Sequence, residues 1–124
     1  MKRLILETGI GTDLYGEDAT KAAIRAVNDA IRHSSLTLFT ELELDHSLME
    51  VRVTVGVPDP MALDLDRIAA ELPRGRAVVE GVPGGQRIAP PKNGVQAGAS
   101  LVATAAVEAF YPLDAGGWRR TDGG

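Results

Sequence analysis

Two bases, Lys21 and Arg25, stand four positions apart behind a bend rich in glycine and acid in "ETGIGTDLYGEDATKAAIRA", residues 7–26. On a helix that spacing puts both cations on one face, where they do not help each other. They suit the carbonyl or carboxylate oxygens of a ligand, or acids from a neighbouring subunit. A solvated helix face is the plain alternative. Gly9 and Gly11 lie between a strand and that helix, where backbone N–H groups can meet an anion. They could equally supply the freedom a tight connection needs. The spacing is not that of a dinucleotide fingerprint, because Gly16 follows Gly11 by five residues, and no Gly-Lys-Ser/Thr follows. Glu7, Asp13, Glu17 and Asp18 would repel phosphate, so a nucleotide is not expected.

Other reactive groups are few. Ser100 opens a segment after "AGA"; it caps a helix, or it acts as a nucleophile or hydrogen-bond donor beside a glycine-rich loop. A serine nucleophile needs a base, and apart from Lys2 the lysines are Lys21 and Lys92. His33 and His46 stand in turns with no partner at metal-ligand spacing, although Asp45 adjoins His46. The chain has no cysteine, which removes disulfides, thiolate metal sites and a thiol nucleophile. No metal and no cofactor are expected.

The elements that must position these residues follow from periodicity. "RLILE", residues 3–7, is a short apolar strand that Gly9 and Gly11 end. Asp18 caps a helix running to about His33, with Ala23, Ile24, Val27, Ala30 and Ile31 on its apolar side. "LTLFTELEL", 36–44, and "MEVRVTVGV", 49–57, alternate with period two and read as a hairpin, with Glu41 or Glu43 facing Arg52. Asp64 caps a helix over 65–72 that Pro73 stops. "RAVVEGV", 76–82, is the fourth strand. Residues 83–98, with Gly84 and Gly85, read as a long loop. "ASLVATAAVEAFY", 99–111, is apolar nearly all round and reads as a last helix, covered on more than one side. The expected fold is therefore α+β, a four-stranded sheet with helices packed on one face, in a single domain over 1–111. A flexible C-terminal tail over 112–124 follows it.

Length and composition bound the rest. The chain has 124 residues, 44% of them hydrophobic and 24% charged, which fits one globular domain with its own core. A formal net charge of −4 and 4% aromatic residues argue against nucleic-acid binding. The apolar run before Glu7 is too short for a signal peptide, and no run approaches the ~20 residues of a membrane helix. A cytoplasmic protein without membrane contact is expected. The mixed outer face of the hairpin and the apolar last helix point to a homo-oligomer.

"ETGIGTDLYGEDATKAAIRAVNDAI", "MEVRVTVGVPDP" and "VVEGVPGG" resemble a small bacterial family of uncharacterised single-domain proteins, typified by a Listeria conserved hypothetical protein. The resemblance covers residues 3–111. The chain is also distantly similar to one repeat of the ring-opening amidohydrolases, cyanuric acid hydrolase and barbiturase, which place three repeats about a pseudo-threefold axis. Their glycine segment matches Gly9 and Gly11, their Asp-x-Thr matches Asp18 and Thr20, and their substrate-contacting arginine falls on Lys21. Ser100 matches their last helix entry. Their catalytic lysine falls on Gly56 or Thr54, and their serine on Pro83, so the Ser–Lys dyad is not evident.

That resemblance implies a homotrimer, or a higher homo-oligomer, which rebuilds the threefold arrangement and binds a small, polar, carbonyl-rich molecule at its subunit interfaces. Gly9, Gly11, Lys21, Arg52, Gly84, Gly85 and Ser100 are the ligand-binding candidates, and Lys21 and Ser100 the catalytic ones. Hydrolysis of cyclic amides is one expected activity. A binding or regulatory module without chemistry, or an oligomeric scaffold, is the alternative.

Overall fold

The computed structural model describes residues 1–32, 48–72, 76–92 and 98–112. They form, in order, β1 (Lys2–Asp13), α1 (Ala19–Arg32), β2 (Glu50–Val57), a 3-10 turn (Pro60–Ala62), α2 (Leu65–Ala69), β3 (Arg76–Pro83), β4 (Gln86–Ile88) and β5 (Ser100–Tyr111). The fold is α+β. The strands make one five-stranded sheet in the order β1-β5-β2-β3, with β4 paired to β5. β5 runs antiparallel to β1, β2 and β4, and β2 runs parallel to β3. A parallel pair needs a crossover, and the 3-10 turn and α2 supply it.

Alternation assigns the two faces. Val51, Val53, Val55 and Val57 of β2 are buried, as are Ala103, Ala105, Val107, Ala109 and Tyr111 of β5. α1 packs onto this face through Ala22, Ala23, Ala26, Val27 and Ala30, and Ile68 brings α2 into the same core. The helices thus cover one face. The other face presents Leu6, Thr8 and Ile10 of β1, Thr104, Ala106 and Glu108 of β5, Arg52, Thr54 and Gly56 of β2, and Val78 and Glu80 of β3. Both predicted helix caps are present: Asp18 accepts the Lys21 N–H at 3.0 Å and Asp64 accepts the Arg67 N–H at 3.2 Å.

Several expectations are corrected. The sheet has five strands among the described residues, not four. Residues 99–111 are not a helix but the strand β5, at whose inner positions alanine recurs because α1 lies close above it. β1 does not stop before Gly9; it runs through both glycines to Asp13. The long loop over 83–98 contains β4. The strand over 36–44 lies outside the described residues, as do His33, Asp45, His46 and the tail beyond Pro112. β2 has no edge left for the expected hairpin, because β5 and β3 occupy both.

Candidate functional site

Gly9 and Gly11 face α1. A Cβ on Gly9 would lie 2.3 Å from the Ala26 carbonyl oxygen, and one on Gly11 would lie 2.3 Å from that of Ala22. Helix backbone therefore sits directly on strand backbone, and the space a ligand would need on that side is filled. The free edge of β1 is also occupied. Asp29 accepts the Ile10 N–H at 3.0 Å, and Arg25 donates to the Thr12 carbonyl. These glycines bring α1 close and so fix where its first turn stands.

That first turn forms one wall of a crevice of about 420 Å³, lined by Asp13, Leu14, Tyr15, Gly16, Asp18, Lys21 and Arg25. Asp13 is buried at its base. It accepts the Asp18 N–H at 3.0 Å and meets the Arg25 guanidinium at 3.6 Å. Gly16 passes so close to Asp13 that a Cβ there would be 2.8 Å from the carboxylate. Arg25 is thus spent on Asp13 and Thr12. Lys21 is exposed, and no ion pair or side-chain hydrogen bond ties its ammonium to another described residue. Of the two bases, Lys21 is the one without an ion-pair partner among the described residues.

The remaining candidates divide. Ser100 begins β5 and reaches the crevice loop, where its hydroxyl donates to the Leu14 carbonyl. Its proton is engaged there, and no lysine amine bonds to it among the described residues. Gly84 and Gly85 form the turn between β3 and β4. A Cβ on Gly85, whose φ is +61°, would come within 2.1 Å of the Val102 carbonyl oxygen. Gly84 packs on Gly56 and donates its N–H to Val57. Arg52 lies on the uncovered sheet face, paired with Glu50 at 3.3 Å and placed over the Phe110 ring at 4.6 Å. It does not join Lys21. Asp18 caps α1, and Thr20 accepts the Asp64 N–H at 2.9 Å, so the Asp-x-Thr match has a structural use in this chain.

Two acids that the sequence offered only as repulsive charges prove to build the site. Asp13 organises the crevice base. Glu17 clasps its loop: it accepts the Ala99 N–H and an Arg87 N–H, each at 3.0 Å, with its own φ at +51°. The Ala99 N–H, and then the Arg87 guanidinium, hold the Glu17 carboxyl below its ordinary value. The sequence signal was Gly16-Glu17-Asp18 itself, since a bend followed by a cap needs side-chain acceptors for its N–H groups.

A second hollow, of about 510 Å³, opens on the uncovered sheet face and is lined by Thr8, Gly9, Ile10, Asp29, Thr54, Gly56, Val82, Thr104, Ala105 and Ala106. It is distinct from the Lys21 crevice. Among the described residues no group of three His, Asp or Glu could hold a metal ion, and no helix is long and apolar enough to cross a membrane.

Among solved structures, the chain is similar to an FtsZ-like protein of unknown function from Nostoc punctiforme PCC 73102. The two are 34% identical over 90% of this chain and 97% of that one, with a TM-score of 0.76. No curated protein matches. The family model described as "Conserved hypothetical protein (Lin0512_fam)" matches residues 3–109. A match over nearly the whole described fold assigns the chain: it belongs to the Lin0512_fam family of conserved hypothetical proteins.

Proposed function

We propose that this protein binds a small, polar, carbonyl-rich molecule in the crevice at the start of α1, and that three copies close around that site. The observation that carries the reading is Lys21: an exposed ammonium, without an ion-pair partner among the described residues, on the wall of a hollow whose other cation, Arg25, is paired with Asp13. The ammonium would meet a ligand carbonyl or carboxylate, and the Asp18 carboxylate would accept an N–H beside it. The crevice is open, so a neighbouring copy would supply the missing wall. The threefold arrangement is what the distant sequence resemblance to one repeat of the ring-opening amidohydrolases would imply, and it is part of this proposal.

The binding reading is favoured over hydrolysis by the state of Ser100, whose hydroxyl proton is given to Leu14 and not to a base. The test is a thermal-shift and calorimetric screen with cyclic imides, ureas and small dicarboxylates, on the native chain and on Lys21→Ala. Binding by the native chain that Lys21→Ala loses, with its fold kept, supports the site. Binding unchanged by the substitution removes it. Ring opening of an imide or urea would restore the hydrolase reading.

A further inference from the structure

We infer that β3 is a docking edge for a second copy of this chain, paired antiparallel about a twofold axis at Val78. The two outer edges of the described sheet differ. On β1, α1 lays side chains over the edge, and Asp29 and Arg25 take the Ile10 N–H and the Thr12 carbonyl. β3, the other terminal strand of that sheet, carries no such cover among the described residues. Its register with β2 runs unbroken from Arg76 to Pro83, so no bulge turns it aside, and Pro83 stands only at its end. It has no lysine. An edge without these devices is a template for another strand.

The backbone direction is set by one hydrogen bond. Arg76 donates its N–H to the Met49 carbonyl, on the β2 side, at 3.1 Å. Amides alternate along a strand, so those of Ala77, Val79 and Gly81 point away from β2. With the axis at Val78, Ala77 of one copy lies opposite Val79 of the other, and the two can exchange both N–H···O bonds. The even residues then form the closely spaced pairs, with Val78 opposite Val78 and Arg76 opposite Glu80 of the second copy, twice.

The charges select this register. Arg76 and Glu80 are exposed, and neither makes an ion pair or a side-chain hydrogen bond among the described residues. The other bases on that sheet face, Arg3 and Arg52, are paired with Glu108 and Glu50. Shifting the axis by one residue sets Arg76 against Val78 or Val82 of the second copy. Shifting it by two sets like charges against each other. Only the axis at Val78 gives two opposite-charge cross-strand pairs. Apolar surface accompanies them: Val78, at the axis, is 50% exposed.

This contact is independent of the threefold site proposed above. Twofold and threefold contacts on separate surfaces together give six copies. The experiment is native mass spectrometry, with light scattering, on the native chain and on Glu80→Arg, Arg76→Glu, the double exchange and Val79→Pro. Val79→Pro removes an outward N–H and spares those bonded to β2. The expected result is a native mass of two or six copies that halves in each single charge variant and in Val79→Pro, and returns in the double exchange. Each single charge variant weakens the contact about tenfold. A native mass of one or three copies overturns the inference, as does a mass indifferent to the single variants or not restored by the double exchange. Three copies would leave the threefold reading standing; two copies would leave only the twofold.

Discussion

Glu17 accepts the N–H of Ala99 at 3.0 Å while its own backbone is held at φ +51°, so one residue makes the bend after β1 and fastens it to the start of β5. With Arg87 on the same carboxylate oxygen, three stretches far apart in the chain meet at a single acid. The crevice that contains Lys21 exists because this loop is fastened.

The clasp responds to acid. The Ala99 N–H, then Arg87, lower the Glu17 carboxyl from its ordinary 4.5. A carboxyl depressed on folding contributes stability that is complete above that value and is lost as the pH falls through it toward the folded value. Glu17→Gln removes the titration. In thermal melts between about pH 7 and pH 3, the native chain is expected to lose more of its midpoint than the variant. Equal losses would show that the clasp adds nothing.

Gly11→Ala places a methyl 2.3 Å from the Ala22 carbonyl oxygen, where only helix backbone can yield. Overpacking of this kind costs about 3 kcal/mol, the upper part of the usual range, and urea unfolding reads it directly. Gly9→Ala is expected to behave alike, since the Ala26 carbonyl oxygen stands at the same 2.3 Å.

Thr20→Val keeps the shape of a buried side chain and removes the acceptor of the Asp64 N–H. The expected loss is about 1 kcal/mol in chemical denaturation. It should be accompanied by faster amide exchange in α2, whose cap Thr20 positions. A loss confined to α1 would show that Thr20 does not hold α2.

Lys21→Ala changes an exposed side chain and is expected to alter unfolding stability by less than about 0.5 kcal/mol. Ligand binding should fall with it, whereas Arg25→Ala should lower stability too, because it strips a partner from the buried Asp13. Matched stability losses in the two variants would place Lys21 in the structure and not in the site.

The α+β class, the amphipathic α1, the clean alternation of β2 and both aspartate caps were legible because each rests on local chemistry. β5 was not. Its outward residues Val102, Ala106 and Phe110 are as apolar as its inward ones, and only Ser100, Thr104 and Glu108 mark the period of two. Its alanines invite a helix reading, yet they are there because Ala22, Ala26 and Ala30 press close from above. β1 was cut short for the same reason: Gly9 and Gly11 look like strand breakers until a helix is placed on them. Of the candidate site, Lys21 stood out by type and spacing. Glu17 did not, since its partners Ala99 and Arg87 lie more than 60 residues away in the chain, and Asp13 did not, since its nearby partners Asp18 and Arg25 meet it only once the bend after β1 is folded.

Where α1 rests on Gly9 and Gly11, main chain bears on main chain, with no side chain between them to change rotamer. Such a seam has no soft layer, and the helix cannot rock on the sheet without lifting off it. Any widening of the Lys21 hollow must then come from residues 14–18, swinging out when Glu17 lets go of Ala99.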